Sequence, residues 1–169
     1  MSAQIALAGR TSTEMKFFHQ DIRLWTEEGL QFIDLTDQVI ALVERSGVQH
    51  GMVNVQTRHT TTAVIVNEHE PLLLEDMKRV LERLASRDGA YQHNNFAIRT
   101  ANMTPEEVPN GHAHCQALLL SSSATLNIVE GEVQLGRWQR LFFIELDHAR
   151  QRTVSVLVMG QAAAEPTWD

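Results

Sequence analysis

A chain of 169 residues and 19.1 kDa has room for one full hydrophobic core and not for two. Its hydrophobic share of 43% and charged share of 21% match a globular domain, which excludes disorder, collagen and a long coiled coil. The net charge of -7, with no basic run, disfavours nucleic-acid binding, which depends on phosphate neutralisation.

The first 14 residues, rich in Ala, Ser and Thr, read as a flexible N-terminus, leaving 15–169 as one domain. Met15–Asp21 is the first candidate strand. Gly29–Leu35 is the second, with Leu30, Phe32 and Ile33 after a turn glycine. A helix follows, capped by Thr36 or Asp34. Val39, Ile40, Leu42 and Val43 form its apolar face, and Ser46-Gly47 stops it. Val48–Thr57 reads as a strand, and Ala63–Val66 as a short buried one. A long helix begins near Asn67 or Glu68, with Pro71 in its first turn. Leu73, Met77, Val80, Leu81 and Leu84 recur at helical spacing, and Arg87-Asp88-Gly89 ends it.

Tyr91–Asn110 is polar and irregular, and a stretch of that kind inside a small domain is commonly functional. His112–Leu120 has the length of a short helix. The last third reads as a β meander: Thr125–Val129 and Glu132–Leu135 around a tight Glu130-Gly131 turn, then Leu141–Leu146 and Thr153–Met159. Two main helices among many strands, without βαβ alternation, predict an α+β domain with a mixed, mostly antiparallel sheet. The most apolar runs, Ala117–Leu120 and Leu141–Ile144, fall far short of the ~18 residues of a membrane span. Met1–Arg10 lacks the pattern of a secretory signal. A single cysteine, Cys115, rules out an intrachain disulfide, and by residue type it reads as a small buried hydrophobe. These features together predict a cytoplasmic protein.

Four constellations carry chemistry. In Arg58-His59-Thr60-Thr61-Thr62 a titratable ring stands beside short hydroxyl donors, a combination suited to an oxyanion such as phosphate, or simply to a β-strand. His93, His112 and His114 are candidate metal ligands, since three imidazoles form an open site for a divalent ion such as zinc. His112-Ala113-His114 would share a face on a strand, but on a helix the two rings diverge by about 200°. In Leu135-Gly136-Arg137-Trp138-Gln139 a tryptophan follows a glycine, which suits core or interface packing. Glu145, Asp147, Arg150 and Arg152 end the meander, where the arginines either pair with the carboxylates or grip a phosphate.

The ordered succession His59-Thr60-Thr61, Asn67-Glu68, Tyr91-Gln92-His93, Ala113-His114, Leu135-Gly136-Arg137-Trp138-Gln139, Glu145 and Arg150 resembles the YjbQ family, often labelled secondary thiamine-phosphate synthase. The match runs from about Gly29 to Gly160. The resemblance implies a homotrimer of compact α+β subunits with a pocket near subunit boundaries lined by His59, His93 and His114. It implies catalytic roles for these histidines with Glu68 and Glu145, and substrate-binding roles for Thr60, Thr61, Trp138, Gln139 and Arg150. It also implies a phosphorylated small molecule as ligand, a divalent metal on the three histidines, and weak formation of thiamine phosphate. A non-catalytic module binding a metal or a phosphorylated metabolite is the alternative. Five positions depart from the family pattern: Thr62, Asn94, Ser121, Arg137 and the bend Asp147-His148-Ala149-Arg150.

Overall fold

The computed structural model describes residues 15–163; the expectation for the first 14 lies outside them. Eight strands and three α-helices follow in the order β1 (Met15–Trp25), β2 (Gln31–Asp34), α1 (Thr36–Ser46), β3 (Val48–Thr57), β4 (Thr62–Glu68), α2 (Pro71–Leu84), α3 (Gly111–Leu118), β5 (Ser123–Val129), β6 (Glu132–Val133), β7 (Gln139–Glu145) and β8 (Gln151–Ala162). The fold is α+β as predicted, with a third helix. Instead of one mixed sheet there are two, and every strand pair among the described residues is antiparallel. The larger runs β1-β8-β3-β5-β6 and the smaller β2-β7-β4.

The last third is therefore not a meander. Only β5 and β6 form a hairpin. Glu130 (φ 54°) and Gly131 (φ 79°) are both left-handed there, the two-residue turn whose twist matches the strands. β7 crosses into the small sheet between β2 and β4, and β8 returns to the large sheet between β1 and β3. Strand patterning reports which faces are buried, not which strand lies alongside.

The run Leu141-Phe142-Phe143-Ile144 is fully buried because β7 is the central strand of a sheet covered on both faces. Leu141 and Phe143 point to the large sheet and α1, packing with Val39, Val43, Val53, Val64, Val156 and Val158. Phe142 and Ile144 point the other way, to Ala63, Leu81, Ala113 and Leu146. The order of layers is thus large sheet, small sheet, and then α2 with α3, while α1 closes the two-sheet core.

Both helix starts differ in detail from expectation. Thr36 N–H donates to Asp34 Oδ1 at 2.9 Å, but Leu35 holds the cap position of α1. α2 begins at Pro71, a little beyond Asn67 and Glu68, and is capped by Glu70. Its two carboxylate oxygens accept from Leu72 N–H at 2.9 Å and Leu73 N–H at 2.7 Å. Pro71 supplies the first helical residue, where its missing N–H costs nothing. At the other end of α1, Gly47 adopts φ 68° and ends the helix as expected.

Candidate functional site

The end of the small sheet where β4 begins and β7 ends carries a cavity of about 800 Å³. Its wall includes His59, Thr60, Thr61, His93, His114 and Arg150, so six of the ten predicted site residues meet at one place. They come from four separate stretches. His59–Thr61 form the short link from β3 to β4. His93 lies in a single 3-10 turn, Gln92–Asn94. His114 sits on α3, and Arg150 precedes β8.

Each stretch is held by bonds the sequence encodes. Leu146 N–H donates to Thr61 O at 3.1 Å, which ties the threonine link to the end of β7. The buried Thr62 hydroxyl pairs with that of Thr57. Asn94 Oδ1 accepts from Asn110 N–H at 3.0 Å and Gly111 N–H at 2.8 Å, so the residue after His93 joins its turn to the start of α3. Through that bridge the rings of His93 and His114 meet edge to face, centroids 4.6 Å apart. Because 111–118 is helical, His112 diverges from His114 and is buried in the protein. Cys115, by contrast, is exposed, contrary to its reading as a buried hydrophobe.

The cavity is rich in arginine although the chain is acidic. Arg58, Arg99, Arg150 and Arg152 line it, and Glu107 is its one lining carboxylate. That carboxylate is already paired with Arg99 at 3.1 Å, and its pKa is lowered by the Arg99 hydrogen bond. Arg58 is mostly exposed and only 3.8 Å from Asp21, a weak tie that leaves its charge largely free. Arg150 NH2 bonds the buried Asp147 Oδ2. Arg150 Nε and His93 Nε2 are buried without a hydrogen-bond partner.

Glu145 does not face the cavity. It is 0% exposed and binds Arg152 with both oxygens. It also accepts from Thr26 Oγ1 at 3.0 Å and Asp147 N–H at 3.0 Å. Arg152 in turn donates to Thr61 Oγ1 at 3.1 Å. Glu145 thus positions Arg152, and through it Thr61. Arg58, Arg99 and Arg152 are the cavity cations that the predicted site omits. Arg58 and Arg152 carried a signal, Arg58 in its run with His59 and the threonines and Arg152 beside Glu145, whereas Arg99 carried none.

Glu68, Trp138 and Gln139 lie elsewhere. The register pairs Thr62 with Glu145 at the cavity end and Glu68 with Gln139 at the other. Six residue steps of roughly 3.3 Å place them about 20 Å away. Within one chain they cannot act on what the cavity holds.

His59, His112 and His114 are shifted toward the neutral form. Burial, then the Arg152 charge, lowers the His59 pKa. Thr153 N–H donates to His59 Nε2 at 2.9 Å, which places the ring proton on Nδ1. Burial, then His93, lowers His114, and burial, then Arg87, lowers His112. A depressed histidine pKa means that the unfolded chain binds the proton more readily than the folded one. Stability is then full above the ordinary value of about 6.5 and falls as pH drops below it, down to the lowered native pKa. Urea midpoints from pH 8 to pH 5 are expected to decline from about pH 6.5 downward, and His112→Asn is expected to flatten that decline.

Among the described residues no three His, Cys, Asp or Glu side chains are grouped closely enough to hold a metal ion. His59 already uses Nε2 as a hydrogen-bond acceptor, so the donors best placed for an ion are the adjacent rings of His93 and His114. No helix among the described residues is long and apolar enough to cross a membrane.

A family model described as "UPF0047 protein YjbQ-like" matches residues 20–161. The chain belongs to the YjbQ (UPF0047) family. A UPF0047 protein of Methanothermobacter thermautotrophicus is 37% identical over 147 residues, 87% of this chain and 95% of that protein. One from Archaeoglobus fulgidus is 37% identical over 136 residues, covering 80% and 97% of the two chains. The crystal structure of a YjbQ-like protein of unknown function from Sulfolobus solfataricus superposes with a TM-score of 0.78 at 32% identity, covering 87% of this chain and 99% of that one. The family match spans the stretch that holds all three histidines, and these relatives carry no named activity.

Proposed function

We propose that the cavity binds a phosphorylated small molecule and supports departure of a phosphate or diphosphate group. The observation that supports this most is the donor set: weakly tied Arg58 stands with Arg150 and Arg152, each held by a buried carboxylate, beside Thr60, Thr61 and His59, and the one carboxylate in the wall is paired with Arg99. Guanidinium and hydroxyl donors are the groups that recognise phosphate oxygens. Neutral His59 presents Nδ1–H, a donor that needs no protonation at neutral pH. In thiamine-phosphate formation, the reaction the family resemblance suggests, a thiazole nitrogen displaces diphosphate from a pyrimidine methyl carbon. Negative charge grows on the leaving oxygen, and preorganised cations lower that barrier most. His93 and His114 stand ring to ring in the same wall. The reading places the protein in the cytoplasm.

A divalent metal forms part of the reading only through His93 and His114. The partnerless His93 Nε2 beside a second imidazole is the feature that favours it, and zinc suits neutral imidazole nitrogen. Bound there, an ion would act as a Lewis acid toward a phosphate oxygen. Self-association as a homotrimer also belongs to the proposal. The outer face of the large sheet aligns exposed Phe17 with Met159 and exposed Met52 across three strands, apolar surface that a second copy would cover. Sedimentation would then give three times the chain mass.

Calorimetric titration with inorganic diphosphate is the test. One saturable site per chain is expected, with affinity reduced about 10-fold or more by Arg58→Ala, as befits loss of a charge-assisted hydrogen bond. Turnover of the pyrimidine diphosphate and thiazole phosphate, measured in parallel, separates an enzyme from a binding module. No saturable diphosphate binding would refute the reading.

A further inference from the structure

The features that fall outside the arginine cavity gather at the far end of the small sheet. Trp138 is 61% exposed, on the turn between β6 and β7. That turn is locked. Gly136 N–H donates to Gln139 Oε1 at 2.7 Å and Gln139 N–H donates to Gly136 O at 2.9 Å, so Gln139 builds the turn rather than binding a substrate directly. The Arg137 guanidinium lies over the indole, 4.6 Å from its centroid, which steadies the ring from one face. The protein therefore presents a fixed aromatic plane to solvent, a costly arrangement for the most apolar of large side chains.

Beside the plane lies a cleft of about 360 Å³, lined by Glu68, His69, Pro71, Arg137, Trp138 and Arg140. Its size suits a small ligand. Arg140 is already paired, through Nε to Asp34 Oδ2 at 2.8 Å and NH2 to Asp37 Oδ1 at 2.9 Å. Asp34 stays ionised. Burial raises its pKa, but hydrogen bonds from Thr36 and Arg140 outweigh burial and leave it at about 2. A carboxylate only accepts, so His69 Nδ1, 3.0 Å from Asp34 Oδ2, carries a proton and donates it there. The ring stands edge-on to Phe142 at 5.3 Å, which fixes its plane. The cleft thus combines a stacking surface with an acceptor, the Glu68 carboxylate.

An acceptor beside an aromatic plane suits a flat ring that carries N–H donors. We infer that this cleft is a second ligand site, about 20 Å from the arginine cavity, for a planar heteroaromatic ring of the nucleobase kind, stacked on Trp138 and donating to Glu68. The site does not depend on phosphate binding in the arginine cavity.

Unphosphorylated adenosine and cytidine test it on the full chain, read by tryptophan quenching and calorimetry. Saturable binding of at least one nucleoside, at one site per chain, is expected. Trp138→Ala should weaken it about 10-fold or more, the usual worth of one stacked base. Glu68→Ala should also weaken it, and N6,N6-dimethyladenosine, which lacks the amino donors, should bind less well than adenosine. Arg58→Ala and added inorganic diphosphate should leave it unchanged. No saturable binding at millimolar nucleoside, binding indifferent to Trp138→Ala, or competition by diphosphate would overturn the inference. Trp138 is a surface side chain, so its removal leaves the core intact.

Discussion

Replacing Glu145 by alanine is expected to lower stability by about 3–5 kcal/mol, because it strands the Arg152 charge in the protein interior. Arg152 is 3% exposed and Glu145 0%, and the pair is doubly hydrogen-bonded. The loss is larger than for a surface ion pair, whose worth is commonly below ~1 kcal/mol. For a chain of this length each kcal/mol moves the midpoint by about 2–4 °C, so thermal unfolding should shift down by roughly 6–20 °C. The double variant Glu145→Leu with Arg152→Met removes both charges and is expected to recover most of that stability. It should not recover diphosphate affinity, because Arg152 and its hold on Thr61 are gone. A Glu145→Ala protein of unchanged midpoint with lowered turnover would instead make Glu145 a catalytic residue in its own right.

Arg99→Met is the second substitution with a large expected effect. The segment 95–110 has almost no regular structure, and one partly buried guanidinium organises it. Arg99 donates to Ala101 O at 3.3 Å, Asn102 O at 2.8 Å, His93 O at 3.4 Å and Glu107 Oε1 at 3.1 Å. Arg99 and Glu107 have side chains only 12% and 15% exposed. Hydrogen bonds to a charged group contribute about 1.5–3 kcal/mol each when removed, so losing this set exceeds what an irregular loop can absorb. The loop is expected to open locally, with faster amide exchange from Asn95 to Glu107, while the two sheets keep their protection. Because the same loop walls the cavity and holds the His93 turn, diphosphate affinity should drop at least 10-fold. Unchanged exchange in 95–107 would show that the loop is held by other means.

Much of the fold is legible in residue patterns. Val48–Thr57 is a strand from end to end, Gly47 stops α1 and Glu130-Gly131 turns the hairpin, because each signal is local. Strand partnership is not local. β7 reads as one member of a meander, yet its four consecutive apolar residues already show burial on both faces, which an edge or one-sided strand would not need. That signal points to the small sheet's centre. The 15–21 strand extends to Trp25 because Ile22 and Leu24 continue the alternation begun at Phe18.

The site divides in the same way. The helical reading of 112–120 separates His112 from His114 by geometry alone, and the three histidines line one cavity. Glu68 and Trp138 belong to motifs as distinct as the histidine ones, but nothing in their spacing reveals that β4 and β7 run antiparallel and carry them to the opposite end. Arg99 is likewise illegible, since its four partners are mostly backbone carbonyls of an irregular loop.

The central claim is that imidazoles and guanidinium groups from distant parts of the chain form one anion site. A crystal structure of the protein soaked with diphosphate tests it most directly. Density for the anion is expected within hydrogen-bond distance of Arg152, Thr61 and His59 Nδ1. A cavity empty of the anion at saturating diphosphate, or anion found only at other surfaces, would contradict the account.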